Sequence, residues 1–184
     1  MSEQKNIIAV DAMSGDKGPS AVLGGINQFL YQNGEDKVQF RLFGDEKRLR
    51  RMLTKYPRVG RNVEVVHAPN VIRGTDKVMD VIRHAQDTSM YMAIKDVREG
   101  NAAAVVSAGN TGVLMSLSKL ALKTVDGIAR PAITTMLPSG AGDDRVVVLD
   151  LGANVMKPSC LILQFWAVSM PKLSVKCQSQ NWVY

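Results

Sequence analysis

Short apolar runs alternate along the chain with stretches in which apolar residues recur every three or four positions. "NIIAVDAM" (Asn6–Met13) is apolar, β-branched at its start and followed by the loop "SGDKGPS", the pattern of a buried strand. Pro19 then suits the first turn of a helix over "SAVLGGINQFLYQ", with Val22, Ile26, Phe29 and Leu30 on one face. "VQFRLFG" (Val38–Gly44) predicts a second strand, and Asp45 an N-cap for the helix "EKRLRRMLTKY". "NVEVVHA" (Asn62–Ala68) predicts a third strand. Val78–Glu99 reads as helical with a break near Asp87–Ser89. "AAAVVSA" is a fourth strand, followed by the helix "GVLMSLSKLALK". "RPAITTMLP" and "RVVVLDLG" are two further strands joined by "SGAGDD", a hairpin-like connection. Strands that alternate with helices predict an α/β domain with a mostly parallel sheet.

In such a sheet, ligands bind outside the carboxyl ends of the strands. Three predicted strands end in polar, glycine-bearing corners there: "VDAMSGDKGP", "VVSAGNTG" and "VLDLGANV". In the second, Gly109 and Gly112 let the backbone turn closely. The N–H groups of Asn110, Thr111 and Gly112 then open a helix, where unpaired donors and the macrodipole favour an anion. The dipole is worth only about 0.3–1 kcal/mol, so specificity requires geometry and the hydroxyls of Ser107 and Thr111. Two readings stay open for this corner: a phosphate-binding set of Ser107, Gly109, Asn110, Thr111 and Gly112, or a plain helix cap by Asn110 or Thr111. In the first corner Asp11 ends the strand, and Asp16 either lines a site or caps the Pro19 helix. In the third, Asp150 ends an apolar strand and needs polar partners, of which Asn154 is one. Lys17, Arg73, Lys77, Arg83 and Arg130 are the cations available to an anion. His67 and His84 read as structural or exposed, because no nucleophile accompanies them.

Composition narrows the choice. The 184 residues suffice for one domain, and 46% apolar with 22% charged residues is ordinary for a globular protein. There is no secretory leader pattern and no apolar run of membrane-spanning length, so the chain reads as cytoplasmic. The net charge of +6 comes from basic residues that read as spread along the chain, and aromatics are only 5%. Nucleic-acid binding is therefore not expected, whereas a basic surface suits acidic partners. Neither Walker nor G-x-G-x-x-G spacing occurs, and no cofactor or metal is expected. All 17 carboxylates and all 15 glycines lie at or before Gly152, while Cys160, Cys177, Trp166 and Trp182 all lie beyond it. Residues 1–155 are thus expected to form the domain and 156–184 an atypical tail, frameshifted or poorly ordered.

The wording of the corners adds a family. "IAVDAMSGDKGPSAVLGGI", "DTSMYMAIKDVREGNAAAVVSAGNTGVLMSLS", "GIARPAITTMLPS" and "VVVLDLGANV" resemble the bacterial phosphate acyltransferase family, PlsX, from about Asn6 to Val155. The resemblance implies a three-layer α/β/α fold like that of isopropylmalate dehydrogenases and phosphate acetyltransferases, here as its N-terminal half. It implies acyl transfer from acyl-acyl carrier protein to inorganic phosphate, giving acyl phosphate for phospholipid synthesis. It further implies a cytoplasmic homodimer, peripheral to the inner face of the membrane. Asp11, Asp16, Ser107, Gly109–Gly112, Asp150 and Gly152–Asn154 would line the cleft. Asp11, Lys77, Asp150 and Asn154 are the catalytic candidates, with Asp16, Lys17, Arg73 and Arg130 as further cleft residues. At "RGTDKVMDVIR", Asp76 and Lys77 match the family's pattern, whereas Gly74, Thr75 and Val78 depart from it. After Val155 only "LILQF" echoes the family, so an inactive fragment is also envisaged. The alternatives are a non-catalytic remnant that binds carrier protein or membrane, and a phosphate acetyltransferase-like enzyme.

Overall fold

β-branched and aromatic residues alternate faces in four short strands, and these pair side by side in one parallel sheet. The computed structural model describes residues 6–35, 38–73, 76, 78–124, 131, 133–138 and 145–149. Strands β1 (Asn6–Asp11), β2 (Val38–Gly44), β3 (Val63–His67) and β4 (Ala104–Ser107) lie in the order β3-β2-β1-β4. Asp11 is level with Phe43 on one side and with Ser107 on the other. The chain therefore steps from β1 outward through β2 to β3, then returns to the opposite side of β1 for β4. That reversal between β1 and β4 is the topological switch point of the sheet.

Helices cover both faces. α1 (Pro19–Asn33), α2 (Glu46–Leu53) and α3 (Pro57–Arg61) pack Leu23, Ile26, Leu30, Leu49 and Val59 against Val10, Phe40 and Leu42. On the other face, α5 (Ser89–Arg98) sets Ala93 against Ala9 and Phe43. α4 (Val78–His84) and α6 (Thr111–Leu122) join α5 through Val81, Met90, Ile94, Val113 and Leu117. The α/β class and the mostly parallel sheet are as expected. Residues 124–184 form a second unit, in which β5 (Thr134–Pro138) and β6 (Arg145–Leu149) pair antiparallel, the hairpin read from the sequence. The expected boundary at residue 155, the tail 156–184, the "SGAGDD" turn and the third corner lie outside the described residues.

Several local expectations shift. α1 buries Pro19, Leu23, Ile26 and Leu30, a stripe of three- and four-residue steps. Val22 and Phe29 fall at its margins, and Phe29 is 38% exposed, edge-on to Phe40 at 5.8 Å. The helix after Asp45 stops at Leu53, because Thr54 turns back onto Arg51 O and Pro57 opens a new helix. Asp45 is the N-cap, accepting from Arg48 N–H at 3.1 Å. α4 and α5 separate where the break was expected, with Thr88 capping α5. The basic residues are less evenly spread than they read: residues 47–61 hold seven, namely Lys47, Arg48, Arg50, Arg51, Lys55, Arg58 and Arg61.

Candidate functional site

β1 and β4 both end at the switch point, and the loops that follow them are pressed together. Gly15 takes a left-handed φ of 89°, and a Cβ there would stand 3.0 Å from Ala108 Cβ. From the other loop, a Cβ on Gly109 would meet Met90 Cε at 2.5 Å and Ser14 Cβ at 3.0 Å. Two side-chain-free positions thus allow the two corners to touch.

Beneath the contact lies a buried carboxylate. Asp11 is fully buried, and its oxygens accept hydrogen bonds from the hydroxyls of Ser89 and Ser107, each at 2.7 Å. Asp11 Oδ1 also takes the Met13 N–H at 3.3 Å. Ser107 Oγ in turn accepts from Gly109 N–H at 3.1 Å. A buried carboxyl group requires such partners, and the three donors to it named here are neutral. The carboxylate joins the end of β1, the start of α5 and the end of β4.

Above it opens a cavity of about 410 Å³, lined by residues 13–16, 71–73 and 108–110. This volume lies in the range of small-molecule sites. Its polar lining is Ser14, Asp16, Arg73 and Asn110, and Met13, Val71 and Ile72 supply apolar wall. Arg73 and Asp76 close a tight turn on each other, Arg73 N–H donating to Asp76 Oδ2 at 2.8 Å. Ser14 is 3% exposed, and its hydroxyl has no hydrogen-bond partner among the described residues.

The expected site residues separate into groups. Gly109, Asn110, Asp16 and Arg73 line the cavity. Asp11 and Ser107 lie beneath it as the paired support. Asn110 is the N-cap of α6, its Oδ1 accepting from Gly112 N–H at 2.9 Å and Val113 N–H at 3.2 Å. The capping reading of that corner therefore accounts for two of the donors near the helix start. Thr111 and Gly112 form the first turn of α6. Asp16 does not cap α1: Gly18 is the N-cap, with no side-chain cap, and the turn 15–18 holds Asp16 on the cavity side. Lys17 is exposed in that turn, and Arg83 is exposed at the end of α4. Lys77, Arg130, Asp150 and Asn154 lie outside the described residues. His67 is exposed and accepts the Glu46 N–H at 3.4 Å, and His84 is exposed on α4. Among the described residues, no group of three or more His, Cys, Asp or Glu is placed to hold a metal, and no helix is long and apolar enough to cross a membrane.

Two contributors were not singled out from the sequence. Ser14 is an unremarkable loop serine until the fold buries it, and Ser89 reads only as part of a helix break. Their partners and surroundings come from remote parts of the chain, so no local pattern marks them.

Comparison with known proteins agrees with the sequence blocks. A family described as fatty acid synthesis protein matches residues 7–170. A phosphate acyltransferase of Maricaulis maris (strain MCS10) is 40% identical over 158 residues, covering 86% of this chain and 44% of that protein. One from Erythrobacter litoralis (strain HTCC2594) is 41% identical over 158 residues, with 86% and 44% covered. One from Neorickettsia sennetsu (strain ATCC VR-367 / Miyayama) is 42% identical over 164 residues, with 88% and 47% covered. The chain spans less than half the length of these curated relatives.

Proposed function

The chain belongs to the fatty acid synthesis protein family, and from that premise we propose that its switch-point cavity receives inorganic phosphate for acyl transfer from acyl-acyl carrier protein. The observation that carries the reading is the cavity itself, lined by Arg73, the Ser14 hydroxyl and the glycine-bearing corner after β4. A phosphate oxygen attacks the thioester carbonyl, the carbon–sulfur bond breaks, and acyl phosphate leaves with the carrier thiol. The proton of hydrogen phosphate ends on that thiolate, so the reaction balances without a further reactant. Phosphate at neutral pH is already a competent nucleophile, and no nucleophile–base pair is required. Position and charge stabilisation remain as the protein's task.

Arg73 supplies positive charge at the cavity, with Lys77 and Arg130 as further cations. Gly109 and Asn110 form the wall toward which phosphate is drawn, and Ser107 with Asp11 holds that wall in place. Asp11 is thus a positioning residue rather than a group that touches substrate. Asp150 and Asn154 complete the edge from the third corner. The cavity exceeds what phosphate alone fills, leaving room for the thioester end of the carrier's prosthetic arm. As in the full-length family, the chain works as a homodimer, in the cytoplasm and peripheral to the inner face of the membrane.

A second reading, a binder without chemistry, is favoured by the basic run at 47–61, most of which is exposed and suited to an acidic carrier protein. One experiment separates the two. The chain is mixed with acyl-acyl carrier protein and phosphate, and acyl phosphate is trapped with hydroxylamine. Hydroxamate that depends on both substrates supports acyl transfer. Binding of both substrates without hydroxamate assigns the chain as a binder, and no binding of phosphate removes the cavity from the mechanism.

A further inference from the structure

The hydroxyls of Ser14, Ser89 and Ser107 stand near the switch point, and they are not equivalent. Ser89 and Ser107 both donate to Asp11 at 2.7 Å. Ser14 is nearly as deeply buried as Ser89, yet its Oγ has no partner among the described residues. A buried polar group without a hydrogen bond is a cost to the fold, and the great majority of such groups are satisfied. Ser14 is also one of the residues that line the cavity, so a ligand seated there lies against it.

The neighbouring backbone keeps it so. A Cβ on Gly109 would stand 3.2 Å from Ser14 Oγ, so any side chain at 109 would crowd the hydroxyl. Gly15, in its left-handed conformation, sets the turn that places Ser14 against this gap. Arg73 and Asn110 line the same cavity.

We propose that Ser14 is an anion-recognising residue, its Oγ–H donating to an oxygen of the phosphate held in this cavity. The inference rests on the phosphate reading of the cavity and adds to it the side chain that reads the anion. In this arrangement Arg73 attracts the anion by charge, whereas Ser14 fixes it by direction. The hydroxyl that costs stability in the empty fold is satisfied when the ligand enters.

The test is titration of the 184-residue chain with inorganic phosphate by calorimetry, beside thermal unfolding with and without phosphate. Ser14→Ala is expected to weaken phosphate binding about ten- to a hundredfold, the worth of a hydrogen bond to a charged group. Its unfolding temperature without phosphate is expected to equal or exceed that of the parent, because an unpaired buried hydroxyl has been removed. A merely structural serine would show the reverse, with lowered stability and unchanged affinity, and that result overturns the proposal. Should S14A fail to fold, Ser14→Cys keeps a side chain of similar size with a weaker donor. Its phosphate affinity is then expected to fall below the parent's, and equal affinity overturns the proposal. If the parent chain itself binds no phosphate, the cavity reading falls and this inference with it. Equal binding by parent and S14A removes only the role of Ser14.

Discussion

Two buried carboxylates flank α5 and are handled in opposite ways. Asp96, on the helix, is 5% exposed and paired with the Arg41 guanidinium of β2, with Asn101 Nδ2 at 3.3 Å as a further donor. Arg41 also approaches Glu64 of β3, its Nε 3.1 Å from Oε2 but off the hydrogen-bond direction. Asp11, fully buried at the end of β1, has two serine hydroxyls and a backbone N–H, and no cation among its hydrogen-bond partners in the described residues. The first carboxylate is neutralised where it sits and ties a helix to a sheet. The second is met by neutral donors and ties together the end of β1, the start of α5 and the end of β4. An ion pair in mid-layer serves packing, whereas a carboxyl group held by neutral donors at the carboxyl edge of the sheet serves the placement of loops.

Substitutions can break this contrast. Asp11→Ala removes the acceptor of the buried Ser89 hydroxyl, the half-buried Ser107 hydroxyl and a backbone N–H, with an expected cost of about 3–5 kcal/mol in urea unfolding. The same variant is expected to lose phosphate binding, because the corners lose their common support. Asp96→Ala is expected to cost about 2 kcal/mol, less than a fully buried pair, since Arg41 keeps Glu64 beside it. Replacing both partners as Arg41→Met with Asp96→Leu is expected to recover most of that loss, and a double variant as poor as D96A would show that the pair does more than pack. Gly109→Ala forces a Cβ toward Ser14 and Met90, at an expected cost of about 1–2 kcal/mol. Here phosphate affinity is expected to fall while the Arg41–Asp96 pair is untouched. If G109A bound phosphate like the parent, the tight seam between the corners would be packing alone.

The smallest effect concerns a third carboxylate, at the surface. Glu35 accepts from Asn62 Nδ2 at 2.9 Å, and Arg58 and Arg61 approach it at 3.1 and 3.2 Å. The Asn62 hydrogen bond first, and then the hydrogen bond and charge of Arg61, hold its carboxyl below the ordinary 4.5. Because the folded value is lowered, the contribution is present above 4.5 and fades as pH falls through the folded value. Glu35→Gln is therefore expected to lower stability slightly near neutrality and to flatten the acid limb of a stability–pH curve, the difference from the parent vanishing at low pH. A change at pH 7 comparable to that of D96A would erase the distinction between buried and exposed carboxylates.

Much of the frame was legible in the residues. β2 was read with both its ends in place, because the run Val38–Gly44 is bounded by a turn glycine and a capping aspartate. Asn110 gave the start of α6 by the same logic of capping. The rotation of α1 was not legible, since Leu23 and Phe29 fit the helical period equally well and the sheet chooses between them. Strand order was likewise hidden, for nothing local states that β4 returns beside β1. The site suffered most from this. Asp16 was assigned either to a cap or to a site; Gly18 takes the cap position, and Asp16 lies in the cavity lining. Asp11 was expected in the cleft and lies under it, because its serine partners come from elsewhere in the chain. The basic run from Lys47 to Arg61 was visible in the sequence and was passed over by averaging charge along the chain.

The Asp11 tie also sets an order of events. Its serine partners lie 78 and 96 residues further along the chain. Closing such long loops is entropically costly and delays non-local contacts in folding. During synthesis β1 can pair with β2 early, while the carboxylate at its tip waits unburied until Ser89 and then Ser107 have been made. The cavity is consequently the last part of the sheet to take shape, and a chain interrupted before Ser107 would hold most of its strands but no site.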